Sequence, residues 1–179
     1  MEEKYSQTVQ LYSDGSALNN PGPGGYGTIV KYLDEKTSNV TKTEEFAEGF
    51  PATTNNRMEM LGAIVGLESL TRPSNATITS DSSYLVNGIK KDWLTNWKQN
   101  NWKTSTGKPV KNIDLWKRID SLLSLHNVEF KWVKGHAGHP ENERCDYLAR
   151  TFASGKKLKK QENGIYSNED EESNESEKE

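Results

Sequence analysis

Apolar residues first alternate along the chain and then recur at helical spacing, and the change comes near residue 54. "QTVQLYSDG" places Val9 and Leu11 two apart and ends at Asp14-Gly15, which predicts a strand running into a turn. "NNPGPGGYG" is dense in Gly and Pro and predicts a loop or tight turn. "YGTIVKYLD" and "TKTEEFAEGF" predict two further strands, joined by the polar "DEKTSN". Three successive strands with short connections imply an antiparallel meander. "TTNNRMEMLGAIVGLESL" then offers a Thr/Asn start with apolar Met58, Leu61 and Val65, the mark of an amphipathic helix. Gly62 and Gly66 lower its propensity by roughly 1 kcal/mol each, and small residues four apart predict close packing on a sheet.

The remaining pattern alternates helix and strand. "ATITSD" predicts a short strand ending at Asp81, and "SSYLVNGI" a short helix. "NIDLWKRIDSLLSL" predicts a helix with Ile113, Trp116, Ile119, Leu122 and Leu123 on one face. "VEFKWV" predicts a strand. "HPENERCDYLARTFAS" predicts a last helix with Pro140 in its first turn and an apolar stripe of Cys145, Leu148, Ala149 and Phe152. The order β-β-β-α-β-α-α-β-α implies an α/β fold, a mixed five-stranded sheet covered by helices.

Charge sharpens the domain picture. The chain of 179 residues carries a formal net charge of −3. From Gln161 it reads "QENGIYSNEDEESNESEKE", eight acids against Lys178, so residues 1–160 are net +4. That stretch has too little apolar surface to offset ordering entropy and is expected to be disordered. The expected layout is a domain over residues 1–155 and a tail over 156–179, first basic ("GKKLKK"), then acidic. One cysteine excludes an intramolecular disulfide and fits a reducing compartment. No apolar run approaches the ~18 residues of a membrane span, and "MEEKYSQTVQ" has no export or import pattern. A cytoplasmic protein without membrane association is expected.

Candidate chemistry collects at the element ends. Asp14 and Asp81 end two predicted strands, and sites in open α/β sheets gather at the carboxyl ends of strands. If those strands are neighbours, both aspartates reach one edge of the sheet. Glu59 lies in the first turns of one helix and Asp146 in the second turn of the last, so either helix can bring a carboxylate to the pair. Four clustered carboxylates repel, and divalent cations relieve this. All-oxygen ligands favour Mg²⁺ or Mn²⁺ over zinc. Strand-end aspartates are also common turn residues, and spacing alone leaves that alternative open. In "WVKGHAGHPENERCD", His136, His139 and Cys145 give only three candidate zinc ligands without a second Cys/His cluster, which argues against zinc. His139 precedes the last helix as a structural or capping residue, and Glu141 and Glu143 suit its positive end. "IKKDWLTNWKQNNWKT" interleaves Trp93, Trp97 and Trp102 with Lys90, Lys91, Lys98 and Lys103. Lysines supply phosphate affinity, while tryptophans four apart also fit a helix with an aromatic core stripe.

Taken together, "YSDGSALNNPGPGGYG", "TTNNRMEM", "ITSDSSYLVNGI", "KPVKNIDLW" and "KWVKGHAGHPENERCDYLAR" resemble bacterial type 1 ribonuclease H, over about Gln7 to Phe152. The resemblance implies a ribonuclease H fold and an endonuclease that cuts the RNA strand of RNA–DNA hybrids, leaving 5′-phosphate and 3′-hydroxyl ends, as in removal of primers and R-loops. It implies two Mg²⁺ ions, with Mn²⁺ as a substitute, held by Asp14, Glu59, Asp81 and Asp146. It places the mobile catalytic histidine on His136, and it implies a monomer. It also implies hybrid contacts from Gly15, Ala17, Asn20, Thr54, Asn55, Asn56 and Ser83. The basic protrusion that grips DNA falls on Lys90, Lys91, Trp93, Trp97, Lys98, Trp102 and Lys103. Pro51-Ala52 stands where relatives often carry a polar-basic pair, Ser83 where many carry glutamine, and "QNN" is more neutral than is usual. These departures bear on substrate contacts and not on the acids. With every acid present, a non-catalytic hybrid-binding module is disfavoured. The protrusion and "KGHAGHPENERCD" argue against a junction resolvase or integrase.

Overall fold

The computed structural model describes residues 4–135 and 137–168. Five strands and five helices follow in the order β1 (Gln7–Ala17), β2 (Gly22–Leu33), β3 (Val40–Thr53), α1 (Asn55–Glu68), β4 (Ser74–Ser80), α2 (Ser83–Lys90), α3 (Trp93–Gln99), α4 (Ile113–Leu125), β5 (Asn127–Trp132) and α5 (Pro140–Ala153). The sheet order is β3-β2-β1-β4-β5. The meander β1-β2-β3 is antiparallel, and β1-β4 and β4-β5 are parallel. The predicted mixed sheet is therefore present, and the two strands carrying the aspartates are neighbours.

Helices cover both faces. Successive strand residues point to opposite faces. On β2, Gly27 lies against the α5 backbone, while Thr28 Oγ1 donates to the Gly62 carbonyl of α1 at 2.6 Å. The predicted small-residue packing is visible here: Gly62 approaches Ser13 and Thr28, and Gly66 approaches Leu11. The α1 side holds the main core, including Leu11, Val30, Met60, Ile64, Ile78, Leu85, Trp116 and Ile119. A smaller cluster of Leu148, Phe152 and Leu158 lies under α5. Helix α1 differs from the amphipathic expectation, because Met58, Met60, Ala63, Ile64 and Leu67 are buried around most of its circumference. It is enclosed by β1, β2, α2 and α4, so no wide polar face survives.

Three further expectations need correction. The Gly/Pro run read as a loop enters β2 at Gly22, and Gly24 and Gly25 pair with Ala17 and Ser16. These glycines serve close approach: a Cβ on Gly25 would stand 2.6 Å from the Ala149 carbonyl oxygen of α5. The tryptophan–lysine stretch contains a helix of its own, α3, which the nine-element order lacked.

The third correction concerns the tail. Gln161–Asn168, expected to be disordered, folds back onto the outer edge of the sheet. Gln161 N–H donates to the Ile165 carbonyl and Ser167 N–H to that of Lys159, which closes a small hairpin. Glu45 N–H of β3 donates to the Gly164 carbonyl. The anchor is a polar hub. Arg144 of α5 donates to both carboxylate oxygens of Glu45 (2.8 and 3.0 Å), to the Tyr166 carbonyl (2.8 Å) and to Asn168 Oδ1 (2.6 Å). Tyr166 N–H donates to Glu45 as well, and its ring meets Phe152 edge-on at 5.4 Å. The acidic run from Glu169 to Glu179 lies outside the described residues.

Candidate active site

The acids are brought together by strand pairing and one close helix contact. Parallel pairing of β1 with β4 puts Asp14, three residues before the β1 end, on the same side as Asp81, which directly follows β4. Helix α1 then lies on Gly15. A Cβ there would stand 2.4 Å from the Glu59 nitrogen, so only glycine lets the helix descend far enough to set Glu59 beside Asp14. Carboxylate oxygens of Asp14, Glu59 and Asp81 all lie within 4.8 Å of one another.

Asp14 accepts the Gly15 N–H at 2.9 Å. The Asp81 carbonyl accepts the Trp132 indole N–H at 3.2 Å, and Gly135 leaves room for the Asp81 carboxylate, where a Cβ would stand 2.7 Å from Oδ2. Asp146 lines the same pocket, about 410 Å³ in volume, together with Ser16, Asn55, Asn56, Ser83 and Tyr84. Its carboxylate is held back on its own helix by Arg150 at 2.9 Å. Three of the four predicted acids thus form one cluster, and the fourth stands in the wall.

Burial and mutual repulsion set the electrostatics. Desolvation, then the Asp81 charge, pushes the Asp14 carboxyl up to about 7. Glu59 is pushed well above the usual carboxylate range, first by burial and then by Asp14 and Asp81. Glu59 Oε2 is buried and has no hydrogen-bond partner among the described residues. Three convergent carboxylates with an orphaned buried oxygen and no lysine or arginine between Asp14, Glu59 and Asp81 are chemically suited to a divalent cation. The residues fit the metal implied by the acid pattern.

Several predicted substrate residues are joined to one another. Asn55 Oδ1 accepts the Ala17 N–H at 2.6 Å, and Asn20 Oδ1 accepts the Asn55 N–H at 3.0 Å. Thr54 caps α1 by accepting the Arg57 N–H at 3.2 Å, so capping is its role within the protein. Asn56 and Ser83 are exposed at the pocket.

Trp93 and Trp97 of α3 meet at a tilt with ring centres 6.1 Å apart, and Trp97 meets Trp116 of the core edge-on at 5.3 Å. Trp102 packs on the same core. The stripe is thus structural on one side, while Lys90, Lys91, Lys98 and Lys103 are exposed on the other. Lys98 is paired with Asp120 at 3.0 Å. His139 occupies the α5 N-cap position, but its side chain makes no capping hydrogen bond. Cys145 is fully buried under α5 and donates to the Tyr12 carbonyl. His136 lies outside the described residues.

Sequence reasoning missed a network behind the pocket. Arg57 of α1 donates to Asp114 of α4 at 3.0 and 2.7 Å and to Asn112 Oδ1 at 3.2 Å. Tyr84 hydroxyl accepts from Asn112 and from the Trp116 indole. This ties α1, α2 and α4 together behind the acids. The spacing of Arg57 and Asp114, 57 residues apart, carries no local signal.

Comparison with known proteins agrees with this architecture. The RNase H family profile matches residues 6–154. A ribonuclease H of Serratia proteamaculans is 56% identical over 147 residues, covering 82% of this chain and 89% of the relative. One from Pseudoalteromonas atlantica is 51% identical over 150 residues, covering 84% and 93%. Among solved structures, LC9-RNase H1, described as a type 1 RNase H with the type 2 active-site motif, aligns with a TM-score of 0.77 and 32% identity over 96% of this chain and 83% of its own. The match spans the sheet, α1 and α5, and so all four acids, and on that ground the chain belongs to the ribonuclease H family.

Proposed function

We propose that this protein is an endonuclease that hydrolyses the RNA strand of RNA–DNA hybrids, with two divalent ions, Mg²⁺ or in its place Mn²⁺, held by Asp14, Glu59, Asp81 and Asp146. The observation that carries this reading is the buried Asp14–Glu59–Asp81 cluster with its unpartnered Glu59 oxygen, in a chain of the ribonuclease H family. When bound, such ions supply an activated water and a stabilised leaving oxygen. The chain's own residues do the rest. Burial and the neighbouring Asp14 and Asp81 disfavour the charged form of Glu59, and a cation held there would offset that repulsion. Asp14 is oriented by the Gly15 N–H. Asp146, held by Arg150 in the pocket wall, would be the fourth carboxylate of the ligand set. His136 moves a proton near the leaving group and helps product depart.

Substrate selection rests on the wall opposite the acids. Asn55 and Asn56 face the hybrid beside Thr54, and the 2′-hydroxyl is the group that marks RNA. Ala17 and Asn20 keep the β1–β2 turn in shape, since both are bonded to Asn55, and Gly15 admits the start of α1. Lys90, Lys91, Lys98 and Lys103, carried on the Trp93–Trp97–Trp102 support, attract DNA phosphate without regard to sequence. The protein acts as a cytoplasmic monomer. The test is cleavage of labelled RNA–DNA hybrid, RNA–RNA and DNA–DNA, each with Mg²⁺, Mn²⁺ or EDTA. Cutting of the hybrid's RNA strand alone, and only with metal, is expected. Equal cutting of RNA–RNA would overturn the assignment.

A further inference from the structure

We infer that a second phosphate-binding groove lies beside the catalytic pocket, between the end of β3 and the exit of α5, and that it holds the nucleic-acid backbone of the same hybrid beyond the cutting site. This inference rests on the proposed hybrid substrate. The groove has a volume of about 380 Å³, and its walls include Pro23, Phe50, Pro51, Phe152, Lys156 and Lys157. Its position follows from the register. Ala17, Gly24 and Phe50 form one cross-strand row from β1 to β3. Ser16, in the wall of the acidic pocket, pairs with Gly25, two residues from Pro23. Two strand spacings, roughly 10 Å, separate β1 from β3 along this row, and the groove opens beyond it at the α5 exit.

The two lysines are placed there by the fold. Gly155, at φ +89°, turns the chain sharply after α5. Leu158 is then buried against Leu148 and Phe152. The intervening Lys156 and Lys157 are exposed at the groove between these two fixed points. Half-buried Phe50, with its ring 6.4 Å from Tyr26, and Pro51 supply an apolar floor that suits sugar and base faces. Positive charge over an apolar floor is complementary to a nucleic-acid strand, which is anionic along its backbone and apolar between phosphates. Both lysines lie beyond residue 154, where the family match ends. The alternative role is complementing the negative end of the α5 dipole. That role predicts a change in thermal stability and none in hybrid affinity.

The test compares the full chain with its K156Q/K157Q variant, binding hybrids in EDTA. One hybrid is long enough to cross pocket and groove, about 20 base pairs, and one is too short to reach past the pocket. The variant should weaken long-hybrid binding about five- to fifty-fold at ~0.1 M salt and lower the salt slope by about 2, with the short hybrid unaffected. An unchanged slope and an unchanged long-to-short ratio would overturn the groove. So would an affinity loss that appears only in a chain ending at Asn168, since that assigns the lysines to the protein's own acidic residues 169–179. Cleavage of the hybrid by the parent chain in Mg²⁺ is run alongside. Failure there refutes the proposed function, whereas cleavage with an unchanged slope refutes the groove alone.

Discussion

At the scale of single residues, the acids crowd charge in a way that suits a cation, and their repulsion is measurable without activity. Asp14→Asn and Asp81→Asn should each abolish cleavage with the fold intact, since an amide is a neutral and poorer ligand. Circular dichroism and a hybrid-cleavage assay on each variant check this. Asp14 titrates near 7 in the folded chain and near 3.9 unfolded, so its protonated form is favoured by folding. The stabilisation is complete below the unfolded value and is lost as pH rises through about 7. In EDTA the thermal midpoint of Asp14→Asn should therefore exceed that of the parent at pH 8 and match it more closely at pH 5. Millimolar Mg²⁺ should raise the parent's midpoint mainly at pH 8. Equal midpoints throughout would dissociate Asp14 from the charge cluster. His136→Ala should slow turnover by roughly ten- to a hundred-fold without abolishing it, as removal of a general acid–base group does. A variant unchanged in single and multiple turnovers would end its assignment.

Among elements, what the sequence made legible was governed by periodicity. The alternation of Val9 and Leu11, and the Ile113–Trp116–Ile119–Leu122 spacing, reported buried faces directly, and strands and helices appear there. Asp81 was readable because the β4 end is visible in local pattern, whereas Asp14 lies inside β1, which runs on to Ala17 instead of turning at Asp14-Gly15. Their proximity to Glu59 depended on Gly15, whose meaning lies in a helix 40 residues away. The Gly22–Gly25 run was misread because glycine marks both turns and close approach, and only the position of α5 decides between them. The hub joining β3, α5 and the C-terminal hairpin was invisible, because Glu45 and Arg144 are 99 residues apart. Glu45 is 3% exposed, so removing its partner leaves a buried charge. Arg144→Ala should cost roughly 3–5 kcal/mol, measured by urea unfolding. A loss below ~1 kcal/mol, the scale of a surface pair, would show that the hub is not a buried anchor.

For the molecule as a whole, the fold includes the hairpin over residues 161–168 beyond the α5 end, and the acidic run follows that hairpin in the sequence. A chain ending at Asn168 should keep the parent's thermal midpoint. One ending at Lys160 loses the Tyr166 contacts and should melt several degrees lower, at about 2–4 °C per kcal/mol for a chain of this size. Equal midpoints for the two truncations would mean that the hairpin adds nothing. Residues 169–179 carry seven acids and one lysine. If they compete with substrate phosphate, removing them should tighten hybrid binding at low salt and matter less as screening rises. Comparing KM for the hybrid at two salt concentrations with and without residues 169–179 decides this, and equal ratios would dismiss competition. The central claim is that the Asp14–Glu59–Asp81 cluster binds metal to cut RNA paired with DNA. The most direct measurement follows both labelled strands of one hybrid with the parent chain and with Asp81→Asn, in Mg²⁺ and in EDTA. The account predicts RNA fragments from the parent in Mg²⁺ alone, an intact DNA strand and no cutting by the variant; cleavage by Asp81→Asn at the parent's rate, or cleavage in EDTA, would contradict it.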